Sequence, residues 1–179
     1  MRIVIEDKNN KVRNTLRDYI VNYSKYLRSG NAVLSKYWTE LQDLSTITLS
    51  SSDTLYRSLV FKTEEEVNNC IEQFNGVYKP RGTTSISSWS LDKEIALEFL
   101  RAREGIYGIV FIISPPSSSQ YFVIDIPSLF SKREIEKYRL NVFGTENEVL
   151  INGSVPLSKV ETYLVKPREK IRLLQSITY

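Results

Sequence analysis

Histidine is absent from this sequence and cysteine occurs once, as Cys70. The first absence removes the usual parts of zinc sites and of His-dependent nucleophilic machinery; the second excludes an intramolecular disulfide. Acid–base work in this chain therefore falls to carboxylates. Long apolar runs are also missing. The opening Met1-Arg2-Ile3-Val4-Ile5-Glu6-Asp7-Lys8 is too short an apolar stretch for a signal peptide, and no later run approaches the ~20 residues of a membrane span. The expectation is a soluble protein with no export signal or transmembrane segment. Internal repeats, low-complexity tracts and flexible linkers are not found. Charge is nearly balanced, at 24 basic against 21 acidic residues, and a net charge of +3 argues by itself for neither nucleic acid nor membrane.

What is present is enough for one domain with a real core: 179 residues, 41% of them hydrophobic. The eleven tyrosines suit half-buried strand positions or a site for a planar ligand. Arg2–Glu6 reads as a short strand. Val12, Leu16, Tyr19, Ile20, Tyr23 and Leu27 then fall at helical spacing, with Gly30 as the stop. Val33, Leu34, Tyr37, Trp38, Leu41 and Leu44 repeat the pattern in a second helix, and both stripes read as core. After a serine-rich loop, Thr54–Phe61 reads as a strand. Thr63 and Glu66 form a capping-box pattern ahead of Val67, Cys70, Ile71 and Phe74, closed by Asn75-Gly76, with Cys70 as inert packing. Thr83–Ser90 reads as a strand whose last serine caps a helix carrying Ile95, Ala96, Phe99 and Leu100, ended by Gly105. Tyr107–Ile113, Gln120–Ile126, Asn147–Ile151, Leu157–Val165 and Lys170–Tyr179 read as further strands, and Ser131–Leu140 as a short basic helix or structured loop. The sum is an α+β fold in a single domain, helical over residues 1–48 and strand-rich over residues 54–179.

Three polar features stand on separate predicted strands. Glu146 and Glu148, at i and i+2, share one strand face with Cα atoms about 6.5–7 Å apart. Charges at that spacing repel by roughly 2 kcal/mol at an effective dielectric near 20, which a cationic substrate offsets and a strand end does not need. The plainer alternative is a solvated strand end. Arg57 interrupts an otherwise apolar strand, either as a planar fork for phosphate oxygens or as one half of an ion pair. Ser88 and Ser90 flank Trp89 at a strand edge, facing a cleft or water.

In this order, Arg then Ser-x-Ser then Glu-x-Glu, the chain resembles the arginine–serine–glutamate clade of mono-ADP-ribosyltransferases. Leu55-Tyr56-Arg57 is similar to the family's aromatic-Arg strand, Ser88-Trp89-Ser90 to its Ser-Thr-Ser motif, and Glu146-Asn147-Glu148-Val149-Leu150-Ile151 to its Glu-x-Glu motif and following strand. The helix after Ser-x-Ser, Asp92-Lys93-Glu94-Ile95-Ala96-Leu97-Glu98-Phe99, resembles that of the small tailed-phage members. The resemblance covers residues 54 to 165. Two positions depart from it: Ser58 stands where the family often has glycine, and the bulky Trp89 fills the middle of Ser-x-Ser. Strand alternation relative to Ser88 and Ser90 allows Trp89 to turn into the core.

The resemblance implies an ADP-ribosyltransferase-like mixed β core of two packed sheets with N-terminal helices. It implies NAD+ as substrate, no metal, and transfer of ADP-ribose to an acceptor with release of nicotinamide. Arg57, Tyr56, Ser88 and Ser90 are the implied NAD+-binding residues. Glu148 stabilises the oxocarbenium-like transition state, and Ser88 hydrogen-bonds and orients either Glu148 or the nicotinamide ribose. Glu146 orients and deprotonates the acceptor, and a glutamate at this position goes with protein arginine. Phe143 and Tyr138, on the approach to Glu146, are candidates for target recognition or ordinary loop packing. The implied partners are bacterial host proteins with an acceptor arginine, transcription or translation components among them, in the cytoplasm of an infected bacterium, with no membrane partner. Two alternatives stay open. One is a non-enzymatic module binding nucleic acid or a host protein through Lys132–Arg139 and the tyrosines; the other keeps the fold but uses water or a nucleic acid as acceptor. A glycosidase fits poorly, because its two carboxylates must flank the scissile bond.

Overall fold

The structure, a computed structural model, describes residues 2–22, 32–80, 85–103, 105–140, 148–165 and 171–179, and for residues 2–9, 32 and 33 the backbone alone. In chain order its elements are α1 (Arg2–Val21), α2 (Ala32–Ser35), α3 (Trp38–Leu44), β1 (Leu55–Phe61), α4 (Glu64–Phe74), β2 (Val77–Tyr78), β3 (Ile86–Ser90), α5 (Lys93–Arg101), β4 (Tyr107–Ile113), β5 (Tyr121–Val123), α6 (Ile126–Leu129), α7 (Lys132–Tyr138), β6 (Glu148–Asn152), β7 (Val155–Pro156), β8 (Lys159–Leu164) and β9 (Arg172–Thr178). The fold is α+β, with a large antiparallel sheet, a small two-stranded sheet and helices. Contacts group the chain into two compact units, Met1–Thr48 with Pro80–Ser88 and Ser117–Gly153, and Leu49–Lys79 with Trp89–Pro116 and Ser154–Tyr179.

In the first unit the core is built on the α1 stripe. Val12, Leu16, Tyr19 and Ile20 are buried among Leu41, Phe122, Leu129, Phe130, Leu140 and Leu150. The helix begins earlier than its stripe suggests and takes in Arg2–Glu6, which the sequence reads as a strand. A local β-branched run favours extended backbone, but each residue added to an existing helix gains a backbone hydrogen bond. The second predicted helix divides into α2 and α3 at Tyr37, whose φ of −114° and ψ of 21° leave the helical region. Tertiary bonds aim α3 instead: the Trp38 indole N–H donates to the Ser119 carbonyl at 3.0 Å, and Gln42 Nε2 donates to the Tyr121 carbonyl at 2.7 Å. The strands run in the order β5-β6-β3, with Phe122 opposite Leu150. The predicted strand Gln120–Ile126 is cut to β5: Gln120 closes a short 3-10 turn at one end, and at the other Ile126 starts α6, with Pro127 in its first turn.

In the second unit the strand order is β3-β1-β4-β8-β9, antiparallel throughout. β4 lies between β1 and β8 and is buried along almost its whole length, which explains its unbroken apolar sequence. β9 is the exposed edge. The predicted strand Leu157–Val165 starts only at Lys159, and Val155–Pro156 pairs separately with β2. α4 forms as predicted: Thr63 and Glu66 make the reciprocal capping box, and Glu64, Glu65 and Glu66 meet the positive end of the helix. It buries Val67, Cys70 and Phe74 and ends at left-handed Asn75, followed by Gly76 at φ +78°, where a side chain is strained. α5 departs from expectation at both ends. Its cap is Asp92, whose carboxylate accepts from the Glu94 N–H at 2.9 Å, while Ser90 Oγ accepts from the Asp92 N–H at 3.0 Å. The helix closes at Ala102, and Gly105 serves close packing: a Cβ there would lie 1.9 Å from Val60 Cγ1.

Candidate active site

β6 is anchored by Val149, Leu150 and Ile151, all fully buried, and this fixes Glu148 at the start of the strand. Sixty residues earlier in the chain, Ser88 is half-buried on β3. Within the first unit the two meet: Ser88 Oγ donates to Glu148 Oε1 at 2.5 Å. The Tyr19 hydroxyl, from α1, donates to the same oxygen. Two O–H donors from a helix and a strand therefore converge on one carboxylate oxygen. Tyr19 is fully buried, so its ring is held by the core and its hydroxyl is delivered from a fixed direction.

Sequence reasoning placed Tyr19 in a packing stripe and missed this contact. The available signal was chemical: a buried tyrosine hydroxyl needs a partner, which leucine at the same spacing would not.

In the second unit Arg57 is half-buried on β1, and its Nε donates to the Tyr78 hydroxyl at 2.7 Å, with the guanidinium carbon 5.5 Å from the Tyr78 ring centroid. Tyr78 is itself held in an aromatic cluster, stacked on Phe74 at 5.0 Å and edge-on to Trp89 at 5.1 Å. The plane of the guanidinium is thus set by a buried ring. Trp89 is 2% exposed, so the bulky centre of Ser-x-Ser is absorbed in core packing. Tyr56 packs against the cluster of Leu100, Val110 and Ile112, and its register partner is Ser90, a buried serine whose hydroxyl serves the turn into α5.

Tyr138, the last residue of α7, carries Arg17 at 4.2 Å and Lys137 at 5.0 Å from its ring centroid. The Ser131–Glu134 capping box starts that helix. The Ser131 hydroxyl, then its backbone N–H, hold the Glu134 carboxyl below the usual carboxylate range, with Arg17 and Arg13 adding to the effect. Glu146 and Phe143 lie outside the described residues.

One buried charge in the second unit was not foreseen from the sequence. Glu161 is 3% exposed on β8 and takes Lys93 at 2.7 Å, Lys159 at 3.0 Å and the Tyr163 hydroxyl. Burial pushes its carboxyl up, but the bonds from Lys93, Tyr163 and Lys159 outweigh it and bring the pKa to about 2. The same burial, with Glu161 alongside, pushes the Tyr163 hydroxyl up.

Among the described residues no group of three or more Cys, Asp or Glu side chains is placed to hold a metal ion, and no helix is long and apolar enough to cross a membrane. Of the residues singled out from the sequence, the structure brings Ser88 and Glu148 into contact in the first unit, and sets Tyr56 opposite Ser90 in the second. Compared with protein-family models, curated proteins and solved structures, the chain matches none.

Proposed function

We propose that this chain is an NAD+-dependent mono-ADP-ribosyltransferase whose acceptor is a protein arginine. The observation that carries the reading is the Ser88–Glu148 hydrogen bond. It joins Ser88 of the Ser-x-Ser motif to Glu148 of the Glu-x-Glu motif, far apart in the chain, in one of the two relations the family resemblance implies for Ser88. The finer fold assignment, an ADP-ribosyltransferase-like core, belongs to the same proposal.

Each unit, taken by itself, supplies a group whose chemistry suits one part of NAD+. Its pyrophosphate calls for a planar cation, and Arg57, oriented by Tyr78, is that group. Its nicotinamide ribose becomes more positive as the N-glycosidic bond breaks, which calls for a carboxylate that needs no reorganisation; Glu148, held by two hydroxyls, is that group. Ser88 orients Glu148. Glu146 pairs with the acceptor guanidinium and draws off its proton. The partners on this reading are host proteins, transcription or translation components among them, in the cytoplasm of an infected bacterium.

Incubating the purified protein with NAD+ and a small free guanidine tests this. Nicotinamide release together with an ADP-ribosylated guanidine, seen by mass spectrometry, is the expected result; neither product would overturn the reading. A second reading, a polyanion-binding module, is favoured by the exposed Lys132, Arg133, Lys137 and Arg139 on and just after α7. It predicts nucleic-acid binding that needs no NAD+ and falls steeply with salt.

A further inference from the structure

We infer that Tyr19 is a positioning residue for Glu148, which makes the N-terminal helix α1 part of the catalytic apparatus; the inference rests on the reading of Glu148 given above. Tyr19 contributes more than ring packing, since its hydroxyl donates to the Glu148 oxygen that Ser88 also engages. Tyr19 is fully buried, and its neighbours on the stripe, Leu16 and Ile20, are buried with it. Packing of the ring therefore holds the hydroxyl in place, and through it the position of Glu148 Oε1. A carboxylate that meets a developing positive charge is most effective when it is held before the charge appears, so this rigidity bears on kcat and not on ground-state binding.

Steady-state nicotinamide release by Tyr19→Phe tests the inference. The substitution keeps the ring and removes only the O–H. The expected result is a kcat about tenfold lower with KM for NAD+ unchanged, the signature of an interaction that matters in the transition state. Site-specific 3-fluorotyrosine and 3,5-difluorotyrosine at position 19 supply a second measurement should the phenylalanine variant fold poorly. They retain ring and hydroxyl while strengthening the donor, and at a pH where the phenol stays protonated kcat should change in step with phenol acidity. An active wild type whose kcat is indifferent to both the phenylalanine and the fluorinated side chains overturns the role of Tyr19 and leaves the site reading intact. A wild type that releases no nicotinamide overturns the site reading, and the role of Tyr19 with it.

Discussion

Replacing Glu161 by glutamine takes the charge from a buried carboxylate while leaving its shape, and the consequence for stability follows from the geometry of its two lysines at 2.7 and 3.0 Å. The carboxyl ionises near 4.5 when unfolded and near 2 in the native protein. A difference of that size corresponds to about 3 kcal/mol of native-state stability at neutral pH. The side chains of Lys93 and Lys159 are 37% and 39% exposed, so water screens the attraction, and about 2 kcal/mol is the better expectation. Because folding lowers this pKa, the contribution is present in full above the unfolded value and is lost as pH falls from about 5 through about 2. Urea unfolding of wild type and Glu161→Gln at pH 7, 5, 4 and 3 isolates it from the other carboxylates, which titrate in both proteins. The variant should be less stable by about 2 kcal/mol at pH 7, and more than half of that gap should be gone by about pH 3. A gap that stays constant with pH, or widens as pH falls, would refute the assignment of the stabilisation to an ionised Glu161.

Two further substitutions probe the proposed chemistry. Arg57→Lys keeps the charge but loses the planar fork and the Nε bond to Tyr78; KM for NAD+ should rise by about tenfold or more in a nicotinamide-release assay, and an unchanged kcat/KM would count against Arg57 as the pyrophosphate ligand. Glu146→Gln should spare NAD+ hydrolysis and abolish transfer to arginine, and loss of both activities would sink the division of labour between the two glutamates.

Two elements written locally in the sequence formed where they were expected. The Thr63–Glu66 box and the Asn75-Gly76 stop delimit α4 because capping and left-handed termini are short-range chemistry. The apolar run Tyr107–Ile113 became the strand between β1 and β8 for a similar reason: burial along its length leaves no polar position to blur the pattern. What was not legible depended on distant partners. Tyr37 breaks the second predicted helix where Trp38 and Gln42 turn to backbone carbonyls about eighty residues away, at Ser119 and Tyr121. Asp92 displaced Ser90 as the α5 cap because both are competent acceptors and only the path of β3 decides between them. In the candidate site, the motif order singled out Ser88 and Glu148 and left Glu148 or the ribose open as the partner of Ser88, and it was blind to Tyr19 and Tyr78. Their rings obey core periodicity, and only the hydroxyls carry the information. Lys93, Lys159 and Glu161 were unread for the same reason, since a buried charge is recognisable only once its partners are in place.

If Glu148 is the catalytic carboxylate of an ADP-ribosyl transfer, NAD+ labelled in its ADP-ribose part reveals it. Wild type and Glu148→Ala are incubated with NAD+ labelled in its ADP-ribose part and a bacterial lysate, and label on protein is compared. Label is expected on one or more lysate proteins with the wild type and is expected to be lost with the variant, which keeps the buried Val149-Leu150-Ile151 anchor of β6. Absence of label with the wild type, with no nicotinamide released either, would contradict that role for Glu148.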